Sequence, residues 1–268
     1  MDYIPLIALV LVVMLLSVKF SLGGEYYMKE IIIVPDVHGR KFWHKAVSYV
    51  KTTPIVFLGD YLDPYYWDEG IDSEQAYEQL DEIIDFKRSF PGNVTLLIGN
   101  HDLHYLSSTV GGCRYDHRYA YQNKALLWSN LEYFDIAHTV ERNGNQYLFS
   151  HAGVIESWYY KHFPYSDSIS AEEIAKNLNK AFHGNASRET TIEALSESSP
   201  FRGGSHQFGS PIWADKLEHR TDAYELSTIY QIFGHTLGSM PVITPFWACL
   251  DYKRCFRLDT ESGLISEL

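Results

Sequence analysis

The chain repeats one local pattern five times: a short apolar run stops at a proline or a small residue, and Asp, Asn or His follows. The runs cover residues 31–34, 55–58, 96–98, 147–149 and 229–233. Apolar, β-branched runs bounded by turn residues are typical of strands buried on both faces. In α/β sheets, ligands bind beyond the carboxyl ends of the strands. The pattern therefore predicts a sheet whose rigid strand ends bring several polar side chains to one point.

Helix signals separate the strand signals. Asp72 is a predicted N-cap with Gln75 three residues later, and Ser170 with Glu173 forms a second capping signature. Apolar residues follow both signatures at helical spacing. Strand–helix alternation in the first hundred residues predicts an α/β fold.

The length of 268 residues suits one large domain or a domain with a subdomain. We expect a single domain over residues 28–268. The stretch from about residue 155 to residue 225 is richer in helix and loop signals than the rest. We expect this stretch to form a cap-like insertion over the site.

The residues that follow the apolar runs are of the types that bind metal ions. They are Asp36, His38, Asp60, Asn100, His151 and His235. Each one taken singly is typical of a turn or a helix cap. Five strand ends that all deliver a carboxylate, an amide or an imidazole favour a metal site instead.

The charge balance limits the partners. The chain has 22 Lys and Arg against 34 Asp and Glu, a formal net charge of -12. A protein that wraps nucleic acid needs a basic stripe, so we expect no nucleic-acid partner. A small phosphorylated substrate is compatible, because a metal meets its charge locally. Three cysteines without a CxxC pair are typical of reduced cytoplasmic thiols.

The N-terminal segment has two interpretations. Residues 4–18 are almost wholly apolar but fall short of the roughly 20 residues that span a bilayer. If they are a membrane anchor, Lys19 and Lys29 on the C-terminal side would leave the domain facing the cytoplasm. Alternatively, residues 1–27 are over-called upstream sequence and translation starts at Met28. We expect a cytoplasmic location, with membrane contact only if residues 4–18 are a genuine anchor.

Five motifs, in this order along the chain, resemble those of the calcineurin-like metallophosphoesterase superfamily. They are "DVH" from Asp36, "GDYLD" from Gly59, "GNHD" from Gly99, "SHAG" from Ser150 and "GHT" from Gly234. In motif style the chain looks most like bacterial diadenosine tetraphosphatases and serine/threonine protein phosphatases. The resemblance implies a four-layer α/β/β/α sandwich with a helical and loop insertion.

The resemblance also implies a centre of two divalent metal ions, with Mn, Fe and Zn as the candidates. By this resemblance Asp36 and His38 hold one ion, while Asn100, His151 and His235 hold the other. Asp60 bridges both, which suits a carboxylate. His101 is the implied general acid for the leaving group. Asp63 would hold the His101 imidazole in one tautomer.

One position departs from the protein phosphatases that the chain resembles. They carry Arg directly after the second Asp of the "GDxxD" motif, where it grips the phosphate, and this chain has Pro64 there. Arg202, within an Arg-Gly-Gly sequence, is the first candidate for this role. Arg40 and Arg114 are the other candidates.

The predicted function is a metal-dependent hydrolysis of phosphomonoesters, small molecules or phosphoproteins, by a hydroxide that two metal ions activate. One alternative is a dinucleoside polyphosphate hydrolase with the same metals. Another is a non-catalytic protein that binds a phosphorylated ligand. For Asp102 we expect a helix N-cap, and His104 is open between a structural and a functional role.

Overall fold

The computed structural model describes residues 29–107, 114–184, 188–222 and 229–268. The apolar N-terminal segment, residues 1–27, lies outside the described residues, as does Met28. None of the helices in the described part of the chain is long and apolar enough to cross a membrane.

The first sheet has six strands in the order β11-β10-β1-β2-β3-β4. The strands are β1 (Glu30–Val34), β2 (Ile55–Phe57), β3 (Val94–Leu97), β4 (Phe134–Asp135), β10 (Phe256–Asp259) and β11 (Ile265–Glu267). The four strands from β1 to β4 are parallel, whereas β10 runs antiparallel to β1. The parallel arrangement brings the carboxyl ends of β1, β2 and β3 to the same edge.

The second sheet has five strands in the order β5-β6-β7-β9-β8. They are β5 (Ala137–Arg142), β6 (Asn145–Ser150), β7 (Ile229–Phe233), β8 (Val242–Ile243) and β9 (Trp247–Cys249). Strands β6, β7 and β9 are parallel neighbours. All five strands expected from the apolar runs are therefore confirmed.

The two sheets pack face to face through a shared apolar core. Ile31, Ile33 and Val56 of the first sheet lie in one cluster with Phe149 and Ile232 of the second. The alternate residues of the same strands point to the opposite face, because side chains in a strand alternate. Burying one such side chain contributes about 1.5–3 kcal/mol, so the interface between the sheets stabilises their relative position.

Helices cover the outer faces. They are α1 (His44–Val47), α2 (Tyr66–Glu69), α3 (Ser73–Ser89), α4 (Asn100–Leu106), α5 (Ala120–Ser129), α6 (Glu156–His162), α7 (Ala171–His183) and α8 (Arg188–Leu195). Short 3-10 helices span Leu131–Tyr133, Pro200–Arg202 and Glu218–Arg220. Helix α3 packs near β3, and α7 packs on β5 and β6. The result is two sheets flanked by helices, which confirms the expected α/β/β/α fold class.

The two capping predictions are also confirmed. The Asp72 side chain accepts a hydrogen bond from the Gln75 backbone N–H at the start of α3. The Ser170 hydroxyl accepts one from the Glu173 backbone N–H at the start of α7.

The described residues of the stretch 155–222 contain α6, α7 and α8 with two of the 3-10 helices, and no strand. Helix α7 belongs to the layer that covers the second sheet. The later part of the stretch includes Arg202, which donates to the His235 carbonyl. A cap-like role for the stretch stays a prediction.

Candidate metal centre

The six strand-end residues come together at one edge of the two sheets. Asp36 and His38 follow β1 of the first sheet, Asp60 follows β2 and Asn100 follows β3. His151 and His235 follow β6 and β7 of the second sheet. All of these side chains are buried except His235, which is partly exposed.

Asp60 lies between two groups of potential metal ligands. Asp36, His38 and Asp60 form one group, and Asp60, His151 and His235 form the other. Asp60 Oδ2 is 3.5 Å from His38 Nε2, and Asp60 Oδ1 is 3.5 Å from His151 Nε2. The two oxygens of one carboxylate therefore face the imidazoles of different groups, which is the arrangement that a bridging ligand requires.

The second group also includes an amide oxygen. His151 Nε2 is 3.0 Å from Asn100 Oδ1 and 3.1 Å from His235 Nδ1. Two ligand atoms bound at about 2.1 Å to one tetrahedral ion lie about 3.4 Å apart. The observed separations are close to that value, so small adjustments of these side chains would fit an ion.

Two of the histidines are fixed by backbone carbonyls. His38 Nδ1 lies 2.7 Å from the Leu62 carbonyl, and His151 Nδ1 lies 2.8 Å from the Leu58 carbonyl. Since a carbonyl only accepts, each Nδ1 carries the proton and each Nε2 keeps its lone pair. This is how ligand histidines are usually oriented in metal sites.

The electrostatics of the site suit a cation. Burial lowers the pKa of His38 and His235, and lowers the pKa of His151 to about 3, so these imidazoles are neutral. Burial raises the pKa of Asp36 and Asp60, and the carboxylates Asp251 and Asp36, respectively, raise these values further. Neutral imidazoles beside buried carboxylates are a donor set for a divalent metal, whose charge would offset the cost of burying the acids.

The backbone at the site adopts conformations that ordinary residues rarely take. The φ angles of His38, Asp60 and His235 are 45°, 54° and 62°, in the left-handed region. A Cβ atom at Gly234 would lie 2.0 Å from Asp36 Oδ2. Strain of this kind is typical of functional sites, and the glycine is required for the close approach of the Asp36 carboxylate.

A second cluster adjoins the ligand groups. His101 Nδ1 lies 2.8 Å from Asp63 Oδ2, and His104 Nε2 lies 2.7 Å from the same oxygen. The Tyr105 hydroxyl donates to Asp63 Oδ1. Although these residues could also hold an ion, separations below 3 Å fit hydrogen bonds better than two ligands of one metal. Burial alone would raise the pKa of Asp63, but the bonds from the two histidines outweigh it and lower that pKa.

The three candidate arginines have different partners. Arg40 donates from Nε and NH2 to Glu69, and from NH1 to the Asp36 carbonyl. Arg202 Nε lies 3.0 Å from Asp215 Oδ2. Arg114 NH1 donates to the Asp63 carbonyl at 2.9 Å, and its NH2 lies 3.2 Å from His101 Nε2. Within the described part of the chain, Arg114 alone of the three has no carboxylate partner.

Asp102 differs from the sequence expectation. It is the third residue of α4, whose N-cap is Gly99, so the prediction of an N-cap is wrong. Its carboxylate accepts from the backbone N–H groups of Gly99, Asp60 and Tyr61. Asp102 therefore ties the start of α4 to the loop after β2, and burial raises its pKa to about 7.

Sequence reasoning missed Tyr65, whose ring centroid lies 3.7 Å from the guanidinium carbon of Arg114. No local pattern reveals this contact, because the two residues come from separate loops. The assigned roles of the ligand residues, of His101 and Asp63, and of Arg202 and Arg40 stay predictions.

Comparisons with known proteins agree with this architecture. A family model for calcineurin-like phosphoesterases matches residues 29–239. No curated protein matches the sequence.

Several solved structures are similar to the chain. A cold-active protein-tyrosine phosphatase of a psychrophilic Shewanella species has a TM-score of 0.54 and 14% identity, covering 90% of this chain and 80% of that one. A second structure of a cold-active protein tyrosine phosphatase has a TM-score of 0.54 and 15% identity, with coverage of 90% and 79%. A serine/threonine phosphatase from Saccharomyces cerevisiae has a TM-score of 0.48 and 14% identity, with coverage of 91% and 81%. The two cold-active structures share the fold.

Proposed function

Since the chain belongs to the calcineurin-like phosphoesterase family and is a metal-dependent hydrolase of phosphoester bonds, we propose that it hydrolyses phosphomonoesters at a dinuclear centre. The observation that carries the proposal is the shared position of Asp60. One oxygen faces His38 and the other faces His151, within two groups of buried ligands. The proposed ions are two of Mn, Fe or Zn.

When bound, the two ions supply a water of lowered pKa and offset the charge of the phosphoryl oxygens. The chain itself supplies the orientation of the ligands. Asp36 and His38 are the proposed ligands of one ion, while Asn100 and the histidines His151 and His235 are those of the other. The backbone N–H of His235 also donates to Asp36 Oδ1 at 2.9 Å, which fixes that carboxylate.

His101 is the proposed proton donor to the leaving oxygen. Its Nδ1 is held by Asp63, so its Nε2 faces away from that carboxylate. Arg114 lies against Nε2. We propose that substrate phosphate draws the Arg114 guanidinium toward its oxygens, and that His101 Nε2 then takes up a proton from solvent and passes it to the leaving oxygen.

Arg114 is favoured over Arg202 and Arg40 as the residue that grips the phosphate. The charges of Arg40 and Arg202 are each met by a carboxylate, whereas Arg114 donates to a neutral carbonyl and a neutral imidazole. A phosphomonoester dianion carries more charge than a diester, and a cation without a carboxylate partner complements that extra charge.

A proton donor beside the centre favours an ester over an anhydride. An alkoxide leaving group is strongly basic and needs a proton, whereas a nucleotide phosphate leaves without one. This favours phosphomonoesters over dinucleoside polyphosphates as substrates.

The test compares three classes of substrate on metal-loaded protein: p-nitrophenyl phosphate and phosphoserine as monoesters, bis(p-nitrophenyl) phosphate as a diester, and diadenosine tetraphosphate. We expect the highest kcat/KM for the monoesters. A higher kcat/KM for diadenosine tetraphosphate would replace the proposal with a polyphosphate hydrolase. Binding of phosphate without turnover of any substrate would indicate a non-catalytic phosphate-binding protein.

A further inference from the structure

We infer that Tyr65 is a positioning residue, whose ring holds the Arg114 guanidinium in the orientation that the substrate phosphate requires. This inference rests on the proposed function and names a residue to which neither the motifs nor the family match gives a role. It explains how a chain with Pro64 after Asp63 holds a phosphate-binding cation at the centre.

The ring of Tyr65 lies directly under Arg114. The guanidinium carbon of Arg114 is 3.7 Å from the Tyr65 ring centroid, well inside the range of about 6 Å for a cation–π contact. A guanidinium stacked on an aromatic face keeps the N–H groups at its edge available for hydrogen bonds. Stacking therefore restricts the tilt of Arg114 without occupying the N–H groups at its edge, of which one meets the Asp63 carbonyl and another meets His101.

Tyr65 is itself held from other sides. Its ring meets the His38 imidazole edge-on, with centroids 5.2 Å apart and an interplanar angle of 85°. The guanidinium carbon of Arg40 lies 5.1 Å from the same centroid. Since Arg40 is fixed by its ion pair with Glu69, the support under Arg114 is a rigid one.

The segment from Asp63 to Glu69 contacts arginine side chains of the site at both of its ends. At its start, the Asp63 carbonyl accepts from Arg114 NH1. At its end, Glu69 binds Arg40, and also pairs with Lys253. Tyr65 lies between these attachments, at the residue before α2. Arg114, which lies later in the chain, stacks on the Tyr65 ring within this segment.

Arg114 needs such support because its backbone conformation does not by itself fix the orientation of its side chain. Its φ angle is 58°, in the left-handed region, and the residue is exposed. A long side chain on an exposed loop has many rotamers, and ordering it costs conformational entropy when phosphate binds. A preformed stack removes part of that cost before the substrate arrives.

The first experiment compares Tyr65→Leu with Tyr65→Phe in the metal-loaded protein. The leucine variant removes the aromatic face, and the phenylalanine variant keeps it. We expect Tyr65→Leu to raise KM for p-nitrophenyl phosphate, and Ki for inorganic phosphate, by on the order of 10-fold. Tyr65→Phe should restore both values to near those of the unmodified protein. Tyr66→Leu is the matched control, because this neighbour is 46% exposed and its ring contacts Trp67 rather than the site.

The second experiment uses chemical rescue. Arg114→Ala should lose turnover of p-nitrophenyl phosphate, and added guanidinium should restore part of it by binding on the free Tyr65 ring. The double variant Arg114→Ala with Tyr65→Leu should show no rescue, since the ring is gone. Elemental analysis of every variant checks that both metals remain.

The inference and the proposed function fail in different ways. Equal KM and Ki values for Tyr65→Leu and the unmodified protein would overturn the role of Tyr65 while leaving the phosphatase activity in place. Loss of metal in Tyr65→Leu, or the same loss of activity in Tyr65→Phe, would also overturn it, because the residue would then act on His38 or through its hydroxyl. An unmodified protein that hydrolyses no monoester would instead refute the proposed function.

Discussion

The two sheets contribute different chemistry to the same centre. The ends of β1 and β2 in the first sheet carry Asp36 and Asp60, which are the charged groups of the ligand set. The ends of β6 and β7 in the second sheet carry His151 and His235, which burial keeps neutral. The first sheet therefore supplies all of the negative charge of the candidate centre, together with the neutral groups of His38 and Asn100, whereas the second sheet supplies neutral nitrogen donors alone.

The contacts between the two sets cross from sheet to sheet. The His235 backbone N–H donates to Asp36 Oδ1 at 2.9 Å, and His151 Nδ1 donates to the Leu58 carbonyl at 2.8 Å. Each sheet thus orients a ligand with the help of the other. The distances between ligands depend on how the sheets pack, so the apolar core between them is also a determinant of the metal geometry.

The largest expected effect falls on the carboxylate between the two ligand groups. Asp60→Asn should release both ions and abolish activity, because a neutral amide compensates neither cation. The loss should exceed the about 10–100-fold effect typical of residues that only support ligands. Elemental analysis and kcat/KM for p-nitrophenyl phosphate measure the two results. Asp81→Asn on α3 is the control for the charge change, and full metal content in Asp60→Asn would contradict the bridging assignment.

The first sheet should also carry the proton transfer, independently of metal binding. His101→Asn should keep both ions and lower kcat for an alkyl phosphate by about 10²–10⁴-fold, since general acid catalysis is worth that much. The loss for p-nitrophenyl phosphate should be much smaller, because its leaving group departs without a proton. Asp63→Asn should give the same pattern more mildly.

The ratio of the losses in kcat for the two substrates checks the assignment of His101 as the proton donor. Equal losses on both, with the metals retained, would show that His101 positions phosphate instead of donating a proton. Loss of metal would show that His101 supports the ligand groups.

The parts that the sequence predicts are those that local patterns determine. The strands before Asp36 and Asp60 are apolar runs bounded by turn residues, and such runs are recognisable without a structure. The same holds for the cap at Asp72. Strands such as β8, with two residues, lack any period that could reveal them. The N-cap predicted at Asp102 is wrong because the helix already begins at Asn100. The bond of the Asp102 carboxylate to a loop some 40 residues earlier is beyond the reach of a local rule.

The phosphate-binding arginine illustrates the same limit. The Arg-Gly-Gly context of Arg202 favours it as the first candidate, yet its charge is met by Asp215. Arg114 follows a Gly-Gly-Cys sequence, yet nothing local indicates that its side chain reaches the centre. Its approach to His101 is a tertiary contact, which no local pattern predicts. Composition and spacing therefore predict which strand ends meet, but not which long side chains reach them.

A smaller effect should follow from a substitution in the second sheet that displaces a ligand of the first sheet. Gly234→Ala adds a Cβ atom 2.0 Å from Asp36 Oδ2, so the carboxylate must move. We expect metal affinity to fall by about 10–100-fold, as for other changes that displace a ligand without removing it. Gly92→Ala is the matched control, since nothing lies within 4 Å of its added Cβ. Unchanged affinity in Gly234→Ala, measured by calorimetric titration with Mn or Zn, would show that the sheets adjust independently.

The smallest expected effect is a pH dependence of the stabilisation of the fold by metal. It distinguishes the carboxylates of the first sheet from the histidines of the second. In the chelated protein the pKa values of Asp36 and Asp60 are raised, chiefly by burial. Their favourable contribution to the free energy of unfolding is therefore complete below the unfolded pKa of about 3.9, and it is lost as pH rises through the folded pKa values. The histidines are already neutral, because their pKa values are lowered, and they hold no protons for a metal to displace. Among these side chains, metal binding should therefore release protons from the carboxylates and none from the histidines. The free energy by which metal stabilises the fold should therefore increase as pH rises toward the raised pKa values of the two carboxylates, by up to about 1.4 kcal/mol per pH unit for each proton released, and then level off, and the difference in Tm between metal-loaded and chelated protein should widen in the same direction. Calorimetry in buffers of different ionisation enthalpy counts the protons, and a difference in Tm that stays constant with pH would show that the carboxylates are ionised before the metals bind.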